Sequence, residues 1–135
     1  MSYLAVIHGC RGLRWYAYSG QGAKDPATRG AADDPQTWAE LSCLVHELGM
    51  MEPILTARDA AVQPQVRISG GPEKDAFGYD AVTCLLKDVP GGFLLAANHT
   101  TNTLTAVISG PGVDVTHVFK GNEVLLCDGQ GGVRK

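Results

Sequence analysis

The sharpest pattern in the chain is a stripe of apolar residues at spacings of three and four: Trp38, Leu41, Leu44, Val45 and Leu48. That is the period of one helix face. Asp34 stands where an N-cap belongs, Pro35 at the first helical position, where no N–H is needed, and Gly49 where a helix can end. These signals agree on a helix over 35–48. Glu40 and Glu47 fall mostly off the stripe and read as its solvated side. Upstream, 1–8 fits a helix tail or a short strand. Gly12-Leu13-Arg14-Trp15-Tyr16-Ala17-Tyr18 has the aromatic content and glycine boundary of a strand. The stretch 19–33, with Gly20, Gly22, Pro26 and Gly30, reads as a long loop.

After Pro53 the period changes. Short β-like runs at 65–69, 79–87, 92–98, 103–109, 113–119 and 123–127 are separated by Gly, Pro and Asn, as in an antiparallel meander or sandwich. Leu85 and Leu86 face Phe93, Leu94 and Leu95 across Pro90-Gly91-Gly92, a tight hairpin. Val113, Val115 and Phe119 alternate with Asp114 and Thr116, so one face is core and the other wetter. The expected class is α+β, mostly β: an N-terminal strand and helix segment over 1–52, followed by an antiparallel β-sandwich over 53–135. Residues 128–135 read as a turn entering another strand, so the sandwich is expected to lack its last strand and to leave an edge open.

Composition narrows the partners. The 135 residues carry a net charge of −3 with no run of Lys or Arg, so no nucleic-acid partner is expected. The longest apolar stretches, 4–7 and 93–97, fall far short of the roughly 20 residues that span a bilayer, so no membrane partner is expected. Residues 1–9 lack a basic leader and a small-residue cleavage site, and the compartment stays open. Cys10, Cys43, Cys84 and Cys127 form no CxxC pair and read as buried or half-buried thiols. They and the scattered His8, His46, His99 and His117 predict no metal site and no cofactor. Gly20-Gln21-Gly22-Ala23-Lys24 lacks the spacing of a phosphate loop.

The order of Ser2-Tyr3-Leu4-Ala5-Val6-Ile7-His8-Gly9-Cys10-Arg11-Gly12-Leu13-Arg14-Trp15-Tyr16-Ala17-Tyr18, a loop, the helix with Trp38 and Leu41, and Met51-Glu52-Pro53-Ile54-Leu55 resembles the end of a (β/α)8-barrel glycoside hydrolase. In such enzymes the seventh helix ends in a His-Gly or similar turn, the eighth strand runs into aromatics, and the eighth helix precedes a β-sandwich. Gly92-Phe93-Leu94-Leu95-Ala96-Ala97-Asn98 is similar to the sandwich strand that ends in Asn. Val118-Phe119-Lys120-Gly121-Asn122-Glu123-Val124 is similar to the strand pair after it. The resemblance implies that both catalytic carboxylates lie upstream of Met1 and the final sandwich strand beyond Lys135. The chain is then a non-catalytic C-terminal fragment whose β-domain supports the barrel.

The residues themselves agree that no catalytic group is expected. Glycoside cleavage needs two carboxyl groups roughly 5 to 10 Å apart, one of them held protonated. Asp25, Asp33 and Asp34 fall on the loop where a barrel would place its site, but Asp34 is better used as a helix cap. Trp15, Tyr16 and Tyr18 are the candidate substrate-binding residues, since aromatic faces with polar tips suit sugar rings, although barrel or sandwich core is an equal use for them. Alternation puts Trp15 opposite Tyr16 and Tyr18. Carbohydrate is the candidate ligand, and a second copy of the chain is a candidate partner through exposed apolar surface or open sheet edges. The alternatives are a freestanding sandwich that binds carbohydrate or protein, and a structural oligomerisation domain. Asn98-His99-Thr100 reads as a turn.

Overall fold

A computed structural model describes residues 2–14 and 30–128. The chain divides into two units, one formed by Met1–Arg11 with Thr56–Lys135 and the other by Gly12–Leu55.

In the second unit a 3-10 turn, Ala31–Asp33, leads into a helix at Pro35–Met50 and a short one at Glu52–Leu55. With the N-terminal helix Ser2–Ile7 as α1, these are α2 and α3. Asp34 caps α2, accepting the Gln36 N–H at 3.2 Å and the Thr37 hydroxyl at 2.6 Å. The expected end at Gly49 is corrected: Gly49 lies inside α2, which runs on to Met50. The ladder ends where the Met51 N–H donates to Glu47 at 3.1 Å, and Pro53, two residues on, has no N–H with which to resume it at Gly49. The apolar stripe of α2 is only partly covered. No residue of the helix is buried, Leu41, Leu44 and Leu48 are half-buried, and Trp38 and Val45 are 45% and 49% exposed.

The described residues of the first unit form α1 and six strands: β1 Gln65–Gly70, β2 Val82–Lys87, β3 Phe93–Asn98, β4 Leu104–Gly110, β5 Val113–Phe119 and β6 Val124–Asp128. They form two antiparallel three-stranded sheets, ordered β1-β4-β5 and β2-β3-β6. The protein is therefore α+β and mostly β, with its sheets in a β-sandwich arrangement. The β2–β3 hairpin turns at 88–92, where Gly91 and Gly92 take positive φ and the Gly92 N–H reaches the Val89 carbonyl at 2.7 Å. Leu104, Ala106, Ile108, Val113 and Phe119 meet Val82, Leu86, Leu94, Ala96, Leu125 and Cys127 in one core between the sheets.

Alternation explains which sheet is buried twice. On β5 the exposed Asp114, Thr116 and Val118 alternate with inward residues, so that sheet has one wet face. On β3 all six residues are buried, because Phe93, Leu95 and Ala97 point away from the core into a second apolar layer. The helix α1 lies against β2 and β3 and buries Tyr3 and Ile7. An uninterrupted apolar run such as Phe93-Leu94-Leu95-Ala96-Ala97 is what a strand covered on both faces requires. The outer edge of β2 is covered by the preceding segment. Ala60 donates to Leu86 at 2.9 Å, the Gln63 amide engages both backbone groups of Leu86, and Asp59 meets the buried Lys87 ammonium at 2.6 Å. This blunts an edge that would otherwise pair with another strand.

Candidate functional site

In the first unit a cleft of about 590 Å³ opens between β1 and β2. Its floor is apolar, from Val66, Ile68 and Val82, and its walls carry His8, Arg67, Glu73, Lys74 and Asp80. The two cations and two anions leave the cleft electrically mixed, suited to a neutral polar ligand rather than a strongly charged one. Cys84 lines it as well, and burial pushes that thiol up to about 11, which keeps it protonated at neutral pH.

One wall of the cleft belongs to a small hairpin, 73–81, that links the two sheets. Lys74 pairs with Asp80 across its stem, Ala81 donates to the Glu73 carbonyl at 2.9 Å, and the Asp75 N–H reaches the Tyr79 carbonyl at 2.8 Å. The tip is fixed by the Asp75 carboxylate. One of its oxygens accepts the N–H groups of Phe77 and Tyr79, each at 2.8 Å, and the other lies 3.3 Å from His99 Nε2. Partial burial by itself raises the Asp75 pKa. The N–H groups of Tyr79 and Phe77, and then His99, outweigh it, so the carboxyl sits below its ordinary value. The backbone is thereby held while the rings are not: Phe77 is 86% exposed and Tyr79 69%.

The candidate substrate-binding residues Trp15, Tyr16 and Tyr18 lie outside the described residues, as does Asp25. Gly12 and Arg14, at the start of the expected strand, are described and form none. Asp33 and Asp34 serve local turns, Asp33 accepting the Gly30 N–H at 3.0 Å and Asp34 capping α2. The reading of all four cysteines as buried or half-buried is corrected, because Cys10 and Cys43 are exposed while Cys84 is half-buried and Cys127 buried. Cys43 lies on the wet side of a helix with no fully buried residue. Among the described residues no group of three or more His, Cys, Asp or Glu comes together as a metal site would.

Sequence reasoning missed Asp75, Phe77 and Tyr79. The strand expected over 79–87 starts instead at Val82, because closing the hairpin onto Asp75 removes 79–81 from the sheet. The available signal was Asp75-Ala76-Phe77-Gly78, a turn-forming Asp and Gly bracketing an aromatic in an otherwise polar stretch.

Fold and site define a mostly-β α+β protein whose two-sheet unit presents a mixed-polarity cleft beside a hydrogen-bonded hairpin with two exposed aromatics. Comparison of the chain with protein-family models, with curated proteins and with solved structures found no match.

Proposed function

We propose that the chain is the non-catalytic C-terminal portion of a barrel-type glycoside hydrolase, in which α2 closes a barrel and the β unit supports it. The observation that carries this reading is the partly covered stripe of α2, where Leu41, Leu44 and Leu48 are only half-buried and Val45 is 49% exposed. A helix patterned for burial and left half wet is what the last helix of a barrel presents without the strands it closes. The local chemistry supports a non-catalytic role. Of the carboxylates lining the cleft, Asp80 is 70% exposed and engaged by Lys74, the opposite of the apolar pocket in which a glycosidase keeps its acid.

Sequencing the source DNA across both ends of the reading frame tests the proposal. The expected result is an open frame that continues upstream into strands bearing two carboxylates and downstream into one further strand. In-frame stops closely bracketing the chain would overturn it.

A further inference from the structure

We propose that the 73–81 hairpin is a carbohydrate-contact site, with the rings of Phe77 and Tyr79 stacking on the apolar faces of sugar residues and Lys74 and Asp80 bonding their hydroxyls. This inference stands on the β unit alone and does not depend on the hydrolase reading.

Four observations carry it. Phe77 is the most exposed large apolar side chain among the described residues at 86%, and Tyr79, two positions on, is 69% exposed. Their backbone is preorganised, since both N–H groups converge on one Asp75 oxygen at 2.8 Å and the other oxygen lies 3.3 Å from His99, so binding has only the two rings left to order. The stem of the same hairpin carries a cation and an anion, Lys74 and Asp80, whose side chains are 57% and 70% exposed. Together they offer donors and acceptors to hydroxyl groups. The same two residues form part of the cleft wall, where Glu73 and Arg67 continue the polar lining, so a chain of sugars leaving the platform meets further partners.

The size of the patch selects the ligand. Two aromatic side chains expose on the order of 300 Å², well below the roughly 800 Å² per partner of a specific protein interface. That area matches one or two sugar rings. Sugars alternate C–H faces with hydroxyls, which fits aromatic rings flanked by charged groups. A purely apolar ligand would find no enclosing walls here.

The test is affinity electrophoresis of the whole chain in gels containing galactomannan, xyloglucan, β-galactan or mixed-linkage β-glucan, with sedimentation velocity in parallel. At least one polysaccharide should retard the protein, and the Phe77→Ala/Tyr79→Ala double variant should lose at least tenfold in association. Both side chains are exposed, so an unchanged melting curve certifies the variant's fold. Absence of retardation in every gel, or retardation undiminished in the double variant, overturns the proposal. So does a concentration-dependent dimer that the double variant abolishes, which would make the rings a protein contact. None of these results depends on what the DNA encodes upstream or downstream.

Discussion

The side-chain amide of Asn98 donates to the carbonyl of Lys120, 22 residues further on, at 2.8 Å. The same nitrogen donates to Asn102 at 2.8 Å, and its oxygen accepts both the N–H and the hydroxyl of Thr100 at 2.9 Å. Asn98 ends β3 and is 1% exposed, so one fully satisfied amide fastens the β3–β4 crossover to the β5–β6 turn. Although Asn98-His99-Thr100 has the form of a glycosylation sequon, its acceptor nitrogen is committed inside the fold.

Replacing Asn98 with Asp keeps the shape but turns the donor into an anion facing two carbonyls. Leaving such groups buried and opposed should cost about 3 kcal/mol or more at neutral pH. Urea unfolding would measure it, and the deficit should narrow as the pH falls and the introduced carboxyl regains a proton to donate. A variant as stable as the parent would show that Asn98 does not join the crossovers.

Much of the fold was legible because burial writes directly into the pattern. The alternation in Val113-Asp114-Val115-Thr116 marks a strand with one wet face, and the run Phe93-Leu94-Leu95-Ala96-Ala97 marks one covered twice. The cap at Asp34 was readable for the same local reason. What the sequence could not show were relationships between distant residues. That α1 covers β2 and β3, and that Gln63 shields Leu86, are consequences of the chain's path. The aromatic hairpin escaped because Tyr79 has strand propensity, and only its bond to Asp75 removes it from β2.

The β5–β6 turn admits no side chain at its second position. A Cβ on Gly121 would run into the backbone of Thr101, which lies on the crossover that Asn98 also holds. Because the obstacle is backbone, relief requires moving one of the two turns. Gly121→Ala should therefore lose about 2 kcal/mol in urea unfolding, within the range of overpacked sites. A loss below a few tenths of a kcal/mol would mean that the turns separate freely.

The cysteines should react in two classes. Cys10 and Cys43 are exposed, whereas burial pushes Cys84 up to about 11 and also raises Cys127, with the charge of Asp128 adding to it. At pH 8 the thiolate fraction of Cys84 is on the order of one in a thousand. An aromatic disulfide reagent should modify Cys10 and Cys43 at least 100-fold faster than Cys84 and Cys127, with all four reacting in urea. Peptide mapping of the labelled sites would check the assignment, and four equal rates in the native protein would contradict the burial of the core pair.

Acid should loosen the aromatic hairpin before it unfolds the sandwich. The Asp75 carboxyl sits below its ordinary value of 3.8 in the folded chain. A depressed folded-state pKa contributes stability that is present above the unfolded-state value and is lost as the pH falls through the folded-state one. The N–H groups of Phe77 and Tyr79 lose their anionic acceptor in that window, so their NMR shifts should move together with a midpoint below 3.8. Asp75→Asn removes the titrating charge, and its two amides should start from altered positions at neutral pH and show no acid transition. Movement of Phe77 and Tyr79 at different midpoints, or an unchanged transition in Asp75→Asn, would mean that Asp75 does not hold the tip.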